Sequence, residues 1–169
     1  MMVEIVLVEP QIAGNTGSII RLCANVGARL HLVAPLGFTL GDAALRRGGL
    51  DYHELADVQR WESWAECRAG VGSDRRWFAT TARDPQRRYD EVDYRPSDVV
   101  VFGRESSGLS TEVLADFPID RRLNIPMRPA NRSINLANAV SIVAYEAWRQ
   151  QGFVGGGVGA FEETRRPRP

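Results

Sequence analysis

The sequence predicts an α/β fold with a mainly parallel sheet flanked by helices, on three observations. Short apolar runs of strand length alternate along the chain with segments of helical period. Val99 to Phe102 is apolar at every position, as in a strand covered on both faces. Three of the strands run into polar loops that open helices, which places those loops together at one edge of such a sheet.

In chain order, Val3 to Val8 reads as a buried strand. A helix opening near Thr16 puts Ile19, Leu22, Cys23 and Val26 on one face, and Gly27 closes it as the left-handed residue that ends many helices. Arg29 to Val33 is the next strand, followed by a loop carrying Pro35, Gly37, Gly41, Gly48 and Gly49. Arg60 to Ala69 is predicted helical and Arg76 to Thr80 extended. Residues 82–98 carry Arg and Pro punctuation without apolar periodicity, which predicts mostly loop. Asp98 to Phe102 is the central strand. A short helix near Thr111 to Asp116, a strand at Arg122 to Ile125 and a closing helix from Asn135 to Gln151 complete the chain. In the closing helix Leu136, Ala139, Val140, Val143 and Ala147 form one stripe.

With 169 residues, 44% of them hydrophobic, the chain supports one well-buried core and is short for two ordinary domains. It contains no apolar run of the roughly eighteen residues a membrane-spanning helix needs, and its first residues lack a signal-peptide pattern, so a cytoplasmic location is expected. Cys23 and Cys67 show neither disulfide nor metal-ligand spacing and read as buried thiols, with no metal site. His31, inside a strand, reads as structural. The 21 basic and 21 acidic residues cancel, which excludes binding of nucleic acid by bulk electrostatics. All 21 basic residues are arginine, so a phosphate-binding P-loop with its lysine is excluded, while a one-sided arginine surface could still hold RNA. The glycines at 155–159 follow a helix rather than a strand, which rules out a dinucleotide-binding turn. Residues 1–153 are expected to form the domain and 154–169 a flexible Gly/Pro/Arg-rich tail.

Three segments concentrate polar groups after strands. Leu123-Asn-Ile-Pro-Met-Arg-Pro-Ala-Asn-Arg-Ser-Ile-Asn-Leu-Ala-Asn138 is stiffened by Pro126 and Pro129, and Asn131, Ser133, Asn135 and Asn138 offer hydrogen-bonding groups near a helix N-terminus. Taken alone it also fits an ordinary helix cap. Val8-Glu-Pro-Gln-Ile-Ala-Gly-Asn-Thr-Gly-Ser-Ile-Ile-Arg21 and Val99-Val-Val-Phe-Gly-Arg-Glu-Ser-Ser-Gly-Leu109 share its character. Together the three closely resemble the motif set of the SPOUT methyltransferases, over residues 1 to about 153. Within that superfamily the chain is most similar to the minimal single-domain enzymes that methylate the ribose 2′-hydroxyl of the tRNA wobble nucleotide. Residues 21–25, 46–54 and 143–150 carry this narrower match.

The resemblance implies a C-terminal trefoil knot around S-adenosyl-L-methionine, a homodimer, and 2′-O-methylation of cytidine or uridine 34 of tRNA, with leucine tRNA as the expected substrate. By it, Thr80, Gly103, Ile125, Met127, Ser133 and Asn135 bind the cofactor. Gly103 is expected to let the backbone approach the ligand closely. Ile125 alone is equally a packed strand end. Arg21, Arg132 and Tyr145 are the catalytic candidates. Since guanidinium stays protonated, Arg21 suits gripping the acceptor phosphate and stabilising an alkoxide better than acting as base, and as a bare residue it is also an ordinary exposed arginine. Tyr145 lies off the apolar stripe, as either a functional residue or a partly exposed tyrosine would. Arg46, Arg47, Tyr52 and His53 are the candidate RNA contacts, with Arg132. Asn15, as an N-cap, and Glu105, holding loop amides, are expected to support the site. The Arg104-Glu-Ser-Ser107 stretch departs from the relatives' pattern, which bears on substrate choice. The rival readings are the same chemistry on ribosomal RNA or another tRNA position, and a non-catalytic RNA-binding protein.

Overall fold

The structure, a computed structural model, describes residues 2–39, 58–84, 87–131 and 133–157. Seven strands form one sheet: β1 (Glu4–Val8), β2 (Arg29–Val33), β3 (Val58–Trp61), β4 (Trp77–Thr80), β5 (Arg87–Arg88), β6 (Val99–Phe102) and β7 (Arg122–Asn124). Their order is β3-β2-β1-β6-β4-β7-β5, and every pairing is parallel. Among the described residues four α-helices accompany them: α1 (Ala13–Val26), α2 (Trp64–Val71), α3 (Thr111–Ala115) and α4 (Leu136–Gln150).

The sheet is covered on both faces, as the unbroken apolar runs demand. Alternate residues of β1 and β6 divide between two cores. Ile5, Leu7, Val100 and Phe102 pack with Ile19, Ile20 and Cys23 of α1 and with Val140, Val143 and Ala147 of α4. Val6, Val8, Val99 and Val101 pack on the other face with Cys67 of α2 and Val113 and Leu114 of α3. Burial pushes both thiols up to about 12, so they behave as small apolar groups. Gly27 ends α1 with φ of 71° and its N–H donating to the Cys23 carbonyl, as the sequence predicts.

Two boundaries differ from expectation. The helix predicted over 60–69 begins only at Trp64, because Val58–Trp61 extends the sheet as its edge strand beside β2. Ser63 caps α2 by accepting from the Glu66 N–H. The predicted loop 82–98 contains the two-residue strand β5 and a single 3-10 turn at Tyr89–Glu91. The expected tail begins among described residues, where the Val154 carbonyl accepts from Trp148 Nε1, and its residues 158–169 lie outside them.

Beneath α2 the sheet buries a polar cluster. Glu4 and His31 are almost fully buried, and His31 Nε2 donates to Glu4 Oε2 at 2.7 Å. Trp61 Nε1 donates to His31 Nδ1 at 3.1 Å, which assigns the ring proton to Nε2. Arg75 contacts the other Glu4 oxygen at 3.0 Å. The structural reading of His31 is therefore correct. Burial raises the Glu4 carboxyl, but the hydrogen bonds from His31 and Arg75 outweigh it and hold its pKa at about 2, against 4.5 ordinarily. A carboxylate with a depressed folded pKa stabilises the protein above its unfolded pKa and loses that contribution as pH falls toward the folded value. Glu4→Gln is accordingly expected to destabilise the fold by about 3 kcal/mol at pH 7, the order seen when one partner of a buried pair is removed. In urea melts, the gap between wild type and E4Q should narrow as pH falls from about 4.5 toward 2; a gap independent of pH would show that lost packing, not the charge, carries the effect.

Candidate active site

The loops that follow β1, β6 and β7 leave the same edge of the sheet, and a carboxylate ties them together. After β6 the chain passes Gly103 and doubles back at once: the Gly108 N–H donates to the Arg104 carbonyl at 2.9 Å and the Arg104 N–H to the Gly108 carbonyl at 3.2 Å. A Cβ on Gly103 would lie 2.1 Å from the Gly108 carbonyl carbon and 2.2 Å from the Leu109 nitrogen. The space a side chain would fill is thus taken by the protein's own hairpin, a reason for glycine here that stands beside the ligand approach expected from the sequence.

Glu105, at the tip of that loop, reaches the start of α1. Its Oε2 accepts from the Gln11 N–H at 2.8 Å, and its Oε1 accepts from the Ile12 N–H and from Asn15 Nδ2, both at 3.1 Å. Asn15 Oδ1 accepts in turn from Asn135 Nδ2 at 2.9 Å. Asn135 caps α4, its Oδ1 accepting from the N–H groups of Ala137 and Asn138. Glu105 does what the sequence suggests. Asn15 does not cap α1: the cap position is Ile12, which has no side-chain acceptor, so Glu105 supplies the negative oxygen there from some ninety residues away. Further clasps run alongside, with Arg104 paired to Glu9 and Ser106 Oγ donating to Gln11 Oε1 at 2.6 Å. On the other flank Arg83 donates to the Ser107 carbonyl at 3.0 Å.

Between these loops and the C-terminal ends of β4, β6 and β7 lies a cavity of about 900 Å³. Of the residues expected to bind the cofactor, Thr80, Gly103, Ile125, Met127 and Ser133 line it, and so does Glu105, expected as a support of the site. Thr80 also holds β4 to β6, its hydroxyl donating to the Val101 carbonyl at 3.0 Å. Asn135 does not line the cavity and acts on it through Asn15. Arg21 and Tyr145 are exposed on α1 and α4, outside the cavity walls, and Ser18 and Asn25 flank Arg21 on the same face. Arg46, Arg47, Tyr52, His53 and Arg132 lie outside the described residues. Sequence reasoning missed Arg83, Leu109, Arg128 and Ala139 as lining residues. Arg83 sits in a stretch with no periodic signal, Ala139 reads as part of the apolar stripe, and Leu109 and Arg128 lie inside the motif segments without being singled out.

The wall is chemically divided. Leu109, Ile125, Leu136 and Ala139 offer an apolar slot, while Thr81, Asn124, Asn131 and Ser133 supply hydroxyl and amide groups. That combination and volume fit S-adenosylmethionine, with a flat base for the slot and a ribose and amino-acid end for the polar groups.

Residues 2–145 match the SpoU rRNA Methylase family. The chain is 51% identical over 156 residues to the tRNA (cytidine(34)-2′-O)-methyltransferase of Burkholderia ambifaria, covering 92% of this chain and 99% of that one. It superposes with a TM-score of 0.83 and 42% identity on a structure described as giving insight into 2-OH methylation of C/U34 on tRNA, over 90% of this chain and 97% of that one. A SpoU methyltransferase of Streptomyces viridochromogenes in complex with the cofactor AdoMet aligns at a TM-score of 0.71 and 26% identity, over 88% of this chain and 57% of that one.

Gly103→Ala is expected to force the 104–108 hairpin outward and drag Glu105 from its amides. Thermal unfolding followed with and without S-adenosylmethionine should show a lower Tm and a lost ligand-induced rise. A normal Tm with normal ligand shift would mean that the hairpin yields without consequence for the cavity.

Proposed function

The chain belongs to the SpoU rRNA Methylase family, and from that premise we infer that it is an S-adenosylmethionine-dependent tRNA 2′-O-methyltransferase that acts on the wobble nucleotide, cytidine or uridine 34. The observation that carries this reading is near-full-length identity of about half with a wobble-position methyltransferase, joined to an intact cavity of matching chemistry. The neighbour bound to AdoMet supports the cofactor. Leucine tRNA remains the proposed substrate, and the family's trefoil knot, formed by the 123–138 segment, is part of the same proposal.

S-adenosylmethionine supplies an electrophilic methyl group on a sulfonium, so the protein's task is to align an acceptor oxygen with it and to manage the hydroxyl proton. The Glu105, Asn15 and Asn135 bonds fix the loops before either ligand arrives, which lowers the cost of ordering them on binding. Gly103, with no room for a side chain, keeps the hairpin against the cavity. Ile125 and Met127 form the apolar wall, and Thr80 and Ser133 stand at its polar side. Arg21 grips the phosphate beside the acceptor ribose and stabilises the developing alkoxide, with Arg132 and Tyr145 as further catalytic candidates. Arg46, Arg47, Tyr52 and His53 extend the RNA surface.

Arg21 and Tyr145 fall outside the cavity of their own chain, on the exposed sides of two helices that pack together. A homodimer paired through α1 and α4 accounts for this placement. Ile12, Tyr145 and Phe153, three large side chains that are about half exposed, lie on or beside those helices.

Labelled methyl transfer from S-adenosylmethionine to tRNA from cells lacking this gene should place the label on the wobble ribose. Label on another ribose would keep the chemistry and move the substrate, and label on ribosomal RNA alone would favour the rival reading. Arg21→Ala should abolish transfer while S-adenosylmethionine binding persists; equal loss of both would make Arg21 part of the pocket. Sedimentation should give twice the 18.8 kDa chain mass, and a monomer that still turns over would remove the dimer from the mechanism.

A further inference from the structure

The arginines at the cavity differ in what they hold. Arg83 donates to the Ser107 carbonyl and Arg104 pairs with Glu9, so both are spent on keeping the loops together. Arg128 lines the same cavity and is exposed, and its guanidinium has no hydrogen bond, ion pair or ring contact among the described residues. Elsewhere on the protein, arginines such as Arg75, Arg76 and Arg122 are engaged by carboxylates or carbonyls. An unpaired guanidinium at the rim of a ligand cavity presents five donors and a full positive charge to whatever enters.

The backbone under Arg128 is held. Arg128 opens a turn closed by the Asn131 N–H donating to its carbonyl at 3.3 Å. Pro126 and Pro129 fix φ on either side, and Ala130 sits at φ of 75°. That is a place where a turn of this type prefers glycine, and a side chain held there is kept by its surroundings. A rigid base lowers the entropy cost of fixing a long side chain on a ligand.

Building on the wobble-methyltransferase reading, we propose that Arg128 is an RNA phosphate anchor: at the cavity mouth its guanidinium takes a backbone phosphodiester near the ribose that receives the methyl group, a different one from the phosphate assigned to Arg21. The shared chemistry is a pair of anionic oxygens, and the carboxylate of S-adenosylmethionine is the other source of one. The phosphate is favoured because Arg128 is exposed, whereas the slot residues Leu109 and Leu136 are buried and Ile125, Ala139, Thr81 and Asn124 are half-buried. Arg128 is thereby a positioning residue, setting where the RNA backbone rests and so where the 2′-oxygen falls.

The test compares wild type, R128A and R128K. Binding of an anticodon stem-loop RNA is measured by fluorescence anisotropy across a potassium chloride series. S-adenosylmethionine binding is measured by calorimetry, and transfer kinetics on tRNA are measured alongside. R128A should weaken RNA binding about tenfold, as expected for one charge-assisted contact. It should also make the dependence of log affinity on log salt shallower by about one unit. Its kinetic loss should fall on KM for tRNA, with S-adenosylmethionine affinity and Tm unmoved. R128K should restore the salt slope but only part of the affinity, since it keeps the charge and lacks the fork. Weakened S-adenosylmethionine binding with normal RNA binding would give Arg128 to the cofactor's carboxylate and overturn the proposal, as would no change in either. Failure of the wider reading looks different: wild type would bind the stem-loop through Arg128 yet leave its wobble ribose unmethylated.

Discussion

The site depends on one carboxylate. Glu105 accepts three N–H groups, two from the backbone that opens α1 and one from Asn15. Hydrogen bonds to a charged group contribute about 1.5–3 kcal/mol each, and here they also satisfy the backbone donors of Gln11 and of the cap residue Ile12 just before α1. Through Asn15 the same carboxylate reaches Asn135 and the start of α4. Loops after β1 and β6 and the approach to α4 therefore share one fixed point. The cavity between them is a consequence of that arrangement.

Strand order makes this geometry available. In sequence β6 follows β1 by about ninety residues, yet it pairs with β1 in register from Glu4 with Val99 to Leu7 with Phe102. Because the two strands are parallel and end level, the loops beyond Val8 and Phe102 emerge side by side. Glu105 is then one side-chain length from the Gln11 and Ile12 amides. β4 and β7 lie beyond β6, and the Thr81 N–H donates to the Leu123 carbonyl at 2.8 Å where they end, so the segment that follows β7 passes the same edge. The crevice occurs where a parallel sheet is expected to bind ligands, outside the carboxyl ends of its strands.

What was legible in the sequence was what hydrophobic pattern and local chemistry determine. Val99 to Phe102 and the stripe along α4 announce themselves because each must bury a face against something, and the structure buries them. The helix expected from Arg60 takes in the end of β3 because β3 is an edge strand: Gln59 and Arg60 are exposed and Trp61 half-buried, which leaves no alternation to detect. The Ser63 and Glu66 pair that caps α2 was the available signal for the true helix start. The partnership of Glu105 with Asn15 was beyond local reading, since neither residue's role exists without a neighbour brought in by strand pairing. Gly103 shows the same limit. Its need for a missing Cβ was readable, but the group that fills the space is five residues on in a hairpin whose closure no period reports.

Backbone strain points to the same edge of the molecule. Five residues other than glycine have positive φ among those described, and three of them, Glu9, Asp84 and Ala130, lie in the loops after β1, β4 and β7. Each costs about 1–2 kcal/mol in the left-handed region, so the surroundings must hold them there. For Glu9 the holding contacts are visible: its N–H donates to the Val33 carbonyl at 2.9 Å and its carboxylate pairs with Arg104. For Ala130 they are the prolines and the closing Asn131 bond. A protein with zero formal net charge and no lysine cannot draw RNA by its overall field. Its recognition has to come from a few guanidinium groups aimed by fixed backbone. On the proposed reading, the strained turns around the cavity would do that aiming, and the rigidity of the loops, more than the number of arginines, would be the physical basis for binding at this edge.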